Sequence, residues 1–182
     1  MNIPNMLTIL RIILVPIYMF VFFSDLDNRL LLAGLVFILA GISDVLDGHI
    51  ARKYNLQTKL GTVLDPFADK LMTFAILISF TLSKLIPEWI LIALGIKEII
   101  LILGGSLLYF SSSNEVVPSN KYGKSATALF YAATLSIVFK LPETLSQVLF
   151  LVTVVFNILA LINYVNIYIE LVKNREVSVD KE

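Results

Sequence analysis

The sequence predicts an all-α integral membrane protein, on the evidence of its composition and of its apolar stretches. Of 182 residues, 58% are hydrophobic and 15% are charged, whereas soluble domains carry about 45–50% apolar and about 25% charged residues. Long apolar stretches with few charges follow one another along the chain, and about 20 such residues span the hydrocarbon core of a bilayer. The connections between them are mostly short and polar. We therefore expect six transmembrane helices.

The predicted spans have approximate bounds that follow the apolar runs. They are residues 7–23, 30–45, 61–82, 89–110, 126–139 and 145–171. Two longer polar linkers lie between them, at 49–60 and 111–124. We treat residues 1–172 as one membrane domain and expect 173–182, which are charged and lack apolar periodicity, to form a flexible tail.

Charge and cysteine content exclude several classes of function. Fourteen Lys and Arg residues balance fourteen Asp and Glu residues, so no global field indicates a nucleic-acid partner. Cysteine is absent, which excludes disulfides and thiolate metal sites. Lys and Arg residues concentrate near one set of span ends, and the positive-inside rule then places both termini and both long linkers in the cytoplasm.

Two pairs of aspartates lie in neighbouring predicted spans, one pair near the end of the second and one in the third. Asp44 and Asp47 are three residues apart near the end of the second span, and Asp65 and Asp69 are four apart in the third. Residues at these spacings share a helix face. The short linker makes the two helices antiparallel neighbours, so the four carboxylates are expected to converge.

Such a cluster near a bilayer needs a cationic partner, because buried carboxylates repel and are costly to desolvate. Oxygen ligands without His or Cys favour hard cations, so we expect two Mg²⁺ or Mn²⁺ ions that clamp a diphosphate. Gly48 and Gly61 lie on the acidic faces and leave room for a nucleotide, as does Ala51. The alternative is that the aspartates are helix-end carboxylates paired with nearby basic residues, namely Arg52, Lys53, Lys59 and Lys70.

The pattern Asp44-x2-Asp47-Gly48-x2-Ala51-Arg52-x8-Gly61-x3-Asp65-x3-Asp69 resembles the signature of the CDP-alcohol phosphatidyltransferases. The resemblance implies a six-helix fold around a polar cavity that faces the cytoplasm, a dinuclear metal site, and a homodimer. By the same resemblance Asp44, Asp47, Asp65 and Asp69 are the metal ligands and Asp69 is also the general base. The expected CDP contacts are Gly48, Ala51, Arg52 and Gly61.

The N-terminal segment, with Asn5, Thr8 and Arg11 at three-residue spacing, is similar to the start of the bacterial phosphatidylglycerophosphate synthases within that family. This branch uses CDP-diacylglycerol and glycerol-3-phosphate in the bacterial inner membrane. Asn5, Thr8 and Arg11 could line the cavity. The alternative is an N-cap at Asn5 or Thr8 and an Arg11 that snorkels to the interface.

A phosphorylated acceptor needs cations, and Arg11, Lys97 and Lys124 are the candidates. Lys97 precedes Glu98 within the fourth span, where charge is costly and indicates function. The glycerol-phosphate branch typically has Arg at the position of Lys97 and a second lysine at that of Ala126. These departures leave open a cardiolipin synthase of the eukaryotic type, whose acceptor is phosphatidylglycerol. A cation transporter or proton relay is the alternative from another class.

Overall fold

The computed structural model describes residues 3–54, 59–110 and 121–179, with the backbone alone at 3–4, 52, 59–66, 102–110, 168 and 170–179. These residues form six helices, in chain order α1 Ile3–Phe22, α2 Arg29–Lys53, α3 Lys59–Leu82, α4 Glu88–Phe110, α5 Lys121–Val138 and α6 Glu143–Val179. Each of the six predicted apolar segments corresponds to one of these helices. The all-α prediction is therefore confirmed for the described part of the chain.

The predicted boundaries were wrong at several helix ends. The expected linker at 49–60 begins too early, since α2 continues to Lys53 and ends where the Tyr54 N–H donates to the Ile50 carbonyl. In the same way α5 begins at Lys121, five residues before the predicted start at Ala126. The backbone of the expected charged tail is helical as far as Val179. Hydropathy marks apolar residues, but polar residues continue a helix whenever its backbone hydrogen bonds are maintained.

Three helices are long and apolar enough to cross a membrane by length and composition, among the residues described. They are Asn5–Phe22 in α1, Arg29–Ala51 in α2 and Glu143–Ile167 in α6. The sequence of α3 carries Asp65, Asp69 and Lys70 in its first half. Side chains of α3 and α4 are described only over 67–82 and 88–101, each fewer than the 18 residues that a candidate span requires, so the count of six spans stays a prediction.

The first unit, residues 1–87, is built around α1. Helix α1 packs along both α2 and α3, which touch each other over a smaller part of their length. Its buried residues recur every three or four positions and so form one face: Thr8, Arg11, Leu14, Tyr18 and Phe22. The polar half of this face lies toward the N-terminus and the aromatic half toward the C-terminus.

The second unit, residues 88–182, is organised around α6, which packs against both α4 and α5. The rings of Phe130 and Phe150 meet edge to face at 6.4 Å. Nearby, the hydroxyls of Ser136 and Ser146 lie 2.9 Å apart. A buried hydroxyl pair of this kind joins membrane helices because lipid offers no competing hydrogen bonds.

Candidate active site

Arg11 is buried in α1, with 2% of its surface exposed, and Thr8 one turn earlier is 1% exposed. Both side chains lie on the helix face that packs into the first unit, as their three-residue spacing predicts. The alternative of a snorkelling Arg11 is therefore wrong. So is the alternative of an N-cap at Asn5 or Thr8, because α1 begins at Ile3 and both residues lie inside the helix.

The guanidinium of Arg11 bridges the two carboxylates of α2. Its Nη1 lies 2.5 Å from Oδ1 of Asp44, and its Nη2 donates to Oδ2 of Asp47. The Asp47 side chain is 4% exposed, whereas that of Asp44 is 44% exposed. Asp47 therefore lies inside the unit with Arg11, while Asp44 stands at its surface, accessible to a ligand.

The carboxylates share their helix face with small residues. Gly48 and Ala51 follow Asp44 by four and seven positions, and both are partly exposed. Because neither side chain extends beyond a methyl group, this face of α2 leaves room beside Asp44. Two further predicted nucleotide contacts, Arg52 and Gly61, are described by their backbone alone.

Asp69 lies in the first half of α3, with 34% of its side chain exposed. Its Oδ2 is 3.6 Å from Nζ of Lys70, a contact between sequence neighbours that the alternative of paired helix-end carboxylates had anticipated. The side chain of Asp65 is not described. Among the side chains that are described, no three His, Cys, Asp or Glu residues are grouped so as to hold a metal ion. The convergence of all four aspartates therefore stays a prediction.

In α4, Nζ of Lys97 lies 2.7 Å from Oε1 of Glu98, and the two side chains are 12% and 8% exposed. This pairing is the structural alternative to a phosphate-binding Lys97, and a lysine with three N–H donors has capacity for both. Lys124, near the start of α5, is exposed. The acceptor-phosphate role of Lys97, Lys124 and Arg11 stays a prediction.

A buried contact between α1 and α3, away from the carboxylates, was not predicted from the residue pattern. The hydroxyl of Tyr18 in α1 lies 2.8 Å from that of Ser79 in α3. Since the Ser79 hydroxyl donates to the Ile76 carbonyl, Tyr18 is the donor. Tyr18 follows Arg11 by seven residues, and this spacing could have placed it on the same face of α1.

Comparison with known proteins agrees with the pattern on α2 and α3. A Bacillus subtilis CDP-diacylglycerol–glycerol-3-phosphate 3-phosphatidyltransferase is 37% identical over 138 residues, which cover 69% of this chain and 70% of that protein. The enzyme of the same name from Rickettsia bellii is 47% identical over 77 residues, 42% of each chain. A Mycobacterium tuberculosis protein provisionally named cardiolipin synthase is 37% identical over 128 residues, 70% of this chain and 59% of that protein.

A family model provides the widest match. The model described as CDP-alcohol phosphatidyltransferase covers residues 1–159, well over half of the 182 residues. This range contains the acidic pattern of α2 and α3 and the N-terminal polar residues of α1. The chain is a member of the CDP-alcohol phosphatidyltransferase family.

Proposed function

We propose that this membrane protein transfers the phosphatidyl group of CDP-diacylglycerol to glycerol-3-phosphate, giving phosphatidylglycerophosphate and CMP in phospholipid biosynthesis. The observation that carries the proposal is the acidic face of α2, with a partly exposed Asp44 beside Gly48 and Ala51 in a chain of this family. The names of the Bacillus and Rickettsia relatives support glycerol-3-phosphate as the acceptor.

The residues of the site fit a divalent metal. Asp44 and Asp47 already hold one cationic group, the Arg11 guanidinium, so this pair can bind positive charge. The predicted ligands, Asp44, Asp47, Asp65 and Asp69, offer only carboxylate oxygens, which Mg²⁺ and Mn²⁺ prefer. When bound, two such ions would neutralise the diphosphate of the nucleotide-lipid and act as Lewis acids toward it.

The chain's own residues provide the proton acceptor and the nucleotide site. Asp69, with a partly exposed carboxylate, takes the proton from the acceptor hydroxyl. The hydroxyl oxygen then forms a bond to the lipid-side phosphorus, the bond from that phosphorus to the oxygen of CMP breaks, and CMP leaves. Gly48 and Ala51 admit the nucleotide, and Arg52 and Gly61 complete its contacts. Lys97 and Lys124 attract the acceptor phosphate, aided by Arg11.

The proposal places the enzyme in the bacterial inner membrane as a multi-pass protein with six spans and a cytoplasm-facing cavity. The distribution of Lys and Arg supports cytoplasmic termini and a cytoplasmic active site. That side is also where nucleotide-linked lipid and glycerol-3-phosphate are expected. A homodimer is proposed on the family resemblance.

A cardiolipin synthase that uses phosphatidylglycerol is the second candidate. Two observations favour it, the provisionally named Mycobacterium relative and the engagement of Lys97 with Glu98. Family membership gives no support to the cation transporter considered from sequence.

An acceptor panel distinguishes the two enzymes. The purified chain is incubated with CDP-diacylglycerol, Mn²⁺ and either glycerol-3-phosphate or phosphatidylglycerol, and lipid products are identified by mass spectrometry. We expect phosphatidylglycerophosphate from the first acceptor and no cardiolipin from the second. Cardiolipin formation without phosphatidylglycerophosphate would overturn the proposed acceptor.

A further inference from the structure

Arg11 links α1 to two carboxylates that lie one helical turn apart on α2. It contacts one oxygen of each, Oδ1 of Asp44 and Oδ2 of Asp47. The guanidinium is 2% exposed and the Asp47 side chain 4% exposed. A single buried cation thus compensates two neighbouring anions.

This compensation is permanent. Arginine is not deprotonated in proteins, so the positive charge cannot be lost when a second cation arrives. A divalent ion that uses the same carboxylates must therefore bind next to the guanidinium and against its repulsion. The repulsion is weakly screened because Arg11 and Asp47 are buried away from water.

Arg11 could also strengthen metal binding, by holding the two carboxylates in the orientation that a metal ion requires. Partners that orient metal ligands in this way typically change metal affinity by about 10–100-fold. Here the two carboxylates project from the same regular helix, whose backbone already fixes their spacing. Repulsion by a full buried charge at contact distance from both ligands should therefore outweigh alignment.

We propose that Arg11 is a built-in counter-ion of the metal site, which stabilises the metal-free protein and weakens the binding of the first divalent ion. The inference rests on the proposed metal role of Asp44 and Asp47. Arg11 thereby makes the stability of the fold independent of metal binding, although both involve Asp44 and Asp47. The fold does not depend on metal, and the metal stays exchangeable until an anionic substrate adds negative charge.

The test uses the full chain in detergent and compares it with Arg11→Met, which keeps an unbranched side chain without charge. The readouts are Mn²⁺ binding followed by electron paramagnetic resonance, and the unfolding temperature in chelator and in saturating Mn²⁺. We expect Arg11→Met to bind Mn²⁺ at least tenfold more tightly than wild type. In chelator it should unfold at a lower temperature, and Mn²⁺ should raise that temperature more than in wild type.

Two further variants complete the comparison. Tyr18→Phe removes an α1 hydrogen bond on the same face but away from the carboxylates, so its Mn²⁺ affinity should equal that of wild type. Arg11→Lys keeps the charge but lacks the guanidinium, which donates to both carboxylates at once. The Mn²⁺ affinity of this variant should therefore lie between those of wild type and Arg11→Met. This variant also maintains the test if Arg11→Met does not fold.

Mn²⁺ binding by wild type separates the role of Arg11 from the metal role of the carboxylates. If wild type binds Mn²⁺ and the Arg11 variants bind it equally or more weakly, the counter-ion role is overturned and the metal role of the carboxylates survives. If wild type binds no Mn²⁺, with or without CDP, the metal role itself is overturned, and this inference with it.

Discussion

Among single residues, Asp69 has the most direct predicted effect on chemistry. Asp69→Asn keeps the size of the side chain and removes its capacity to take a proton, so turnover should fall by about 10²–10⁴-fold, the usual contribution of a general base. Binding of CDP-diacylglycerol should change little, because three of the proposed ligands remain. Turnover is measured as CMP release, and binding by equilibrium titration with a labelled nucleotide-lipid.

A matched substitution distinguishes loss of the base from a general effect of lost charge. Asp27 is an exposed aspartate in the connection between α1 and α2, and Asp27→Asn should leave both turnover and binding at wild-type values. An Asp69→Asn variant with a near-normal rate would remove Asp69 from the base role.

Lys97 should affect the acceptor and not the nucleotide-lipid. Lys97→Ala removes a cation and leaves Glu98 without this partner in α4. The KM for glycerol-3-phosphate should rise by roughly tenfold or more, because the acceptor phosphate would lose one charge-assisted hydrogen bond. The KM for CDP-diacylglycerol should stay within about twofold, since an interaction confined to one substrate alters only that substrate's binding. Both values come from initial rates of CMP release.

The control for Lys97 is Lys84→Asn, because Lys84 is exposed and its backbone has a positive φ of 58° that Asn tolerates. It should leave both KM values unchanged. An equal rise in both KM values for Lys97→Ala would indicate a disturbed helix rather than a lost phosphate ligand.

At this scale the sequence predicted the helix face of Arg11 but not the partners of its guanidinium. The spacing of Thr8 and Arg11 correctly indicated one polar face. The contact from Arg11 to Asp47 joins residues 36 positions apart. It depends on how α1 packs against α2, and no periodicity within either helix encodes that packing.

At the level of helices, α3 and α5 end in the same way. In α5 the Lys140 N–H donates to the Ile137 carbonyl and the Leu141 N–H to the Ser136 carbonyl, the pattern of a Schellman motif. Lys140 has a φ of 53° at the position where glycine is usual. Lys84 and Leu85 repeat the pattern after α3. Each motif is soon followed by proline and glutamate, the latter beginning the next helix.

This geometry predicts opposite effects for two substitutions of Lys140. Lys140→Gly should raise the free energy of unfolding by about 0.5–1 kcal/mol, because glycine adopts positive φ without steric strain. The greater conformational entropy of glycine in the unfolded chain offsets part of this gain. Lys140→Val should lower it by about 1–2 kcal/mol, since a β-branched residue is strained there. Reversible unfolding of the detergent-solubilised chain provides the measurement.

Glycine placed in a regular part of the same helix provides the control. Ala128→Gly, at an exposed position of α5, should destabilise the chain by about 1 kcal/mol. Equal effects of glycine at positions 128 and 140 would contradict the proposed helix end. The sequence placed all six helices but misplaced several ends, because helix ends depend on local hydrogen bonds and backbone angles that apolar patterning does not report.

For the whole molecule, the absence of cysteine makes the predicted topology directly measurable. Single cysteines are introduced at exposed positions between helices or at a helix start: Asp27, Tyr54, Leu85, Lys121 and Leu141. A membrane-impermeant maleimide added to intact spheroplasts should label positions 27, 85 and 141 and spare 54 and 121. The reason is that six spans with cytoplasmic termini place alternate connections on opposite sides.

Permeabilised cells provide the control, because all five cysteines should then react. Labelling of Leu85→Cys and Lys121→Cys from the same side would mean that α4 does not cross the membrane. This outcome bears on α4 in particular, because the candidate spans found among the described residues are those of α1, α2 and α6.

Family membership was the whole-molecule property that the sequence predicted best, because the spacing from Asp44 to Asp69 is long and specific. The division into units at residues 87 and 88 was not predicted. It reflects which helices pack together, with α1 and α6 at the centres of their units, and hydropathy gives no information on such pairing. The acidic pattern lies in the first unit, and the predicted acceptor cations Lys97 and Lys124 lie in the second.

We propose that carboxylates of α2 and α3, with divalent metal, transfer the phosphatidyl group of CDP-diacylglycerol to glycerol-3-phosphate. Incorporation of radiolabelled glycerol-3-phosphate into chloroform-soluble lipid by the purified chain tests it most directly. We predict incorporation that requires CDP-diacylglycerol, stops when a chelator is added, and resumes with excess Mg²⁺ or Mn²⁺. Equal incorporation in the presence of chelator would contradict the metal role, and no incorporation under any metal condition would contradict the proposed reaction.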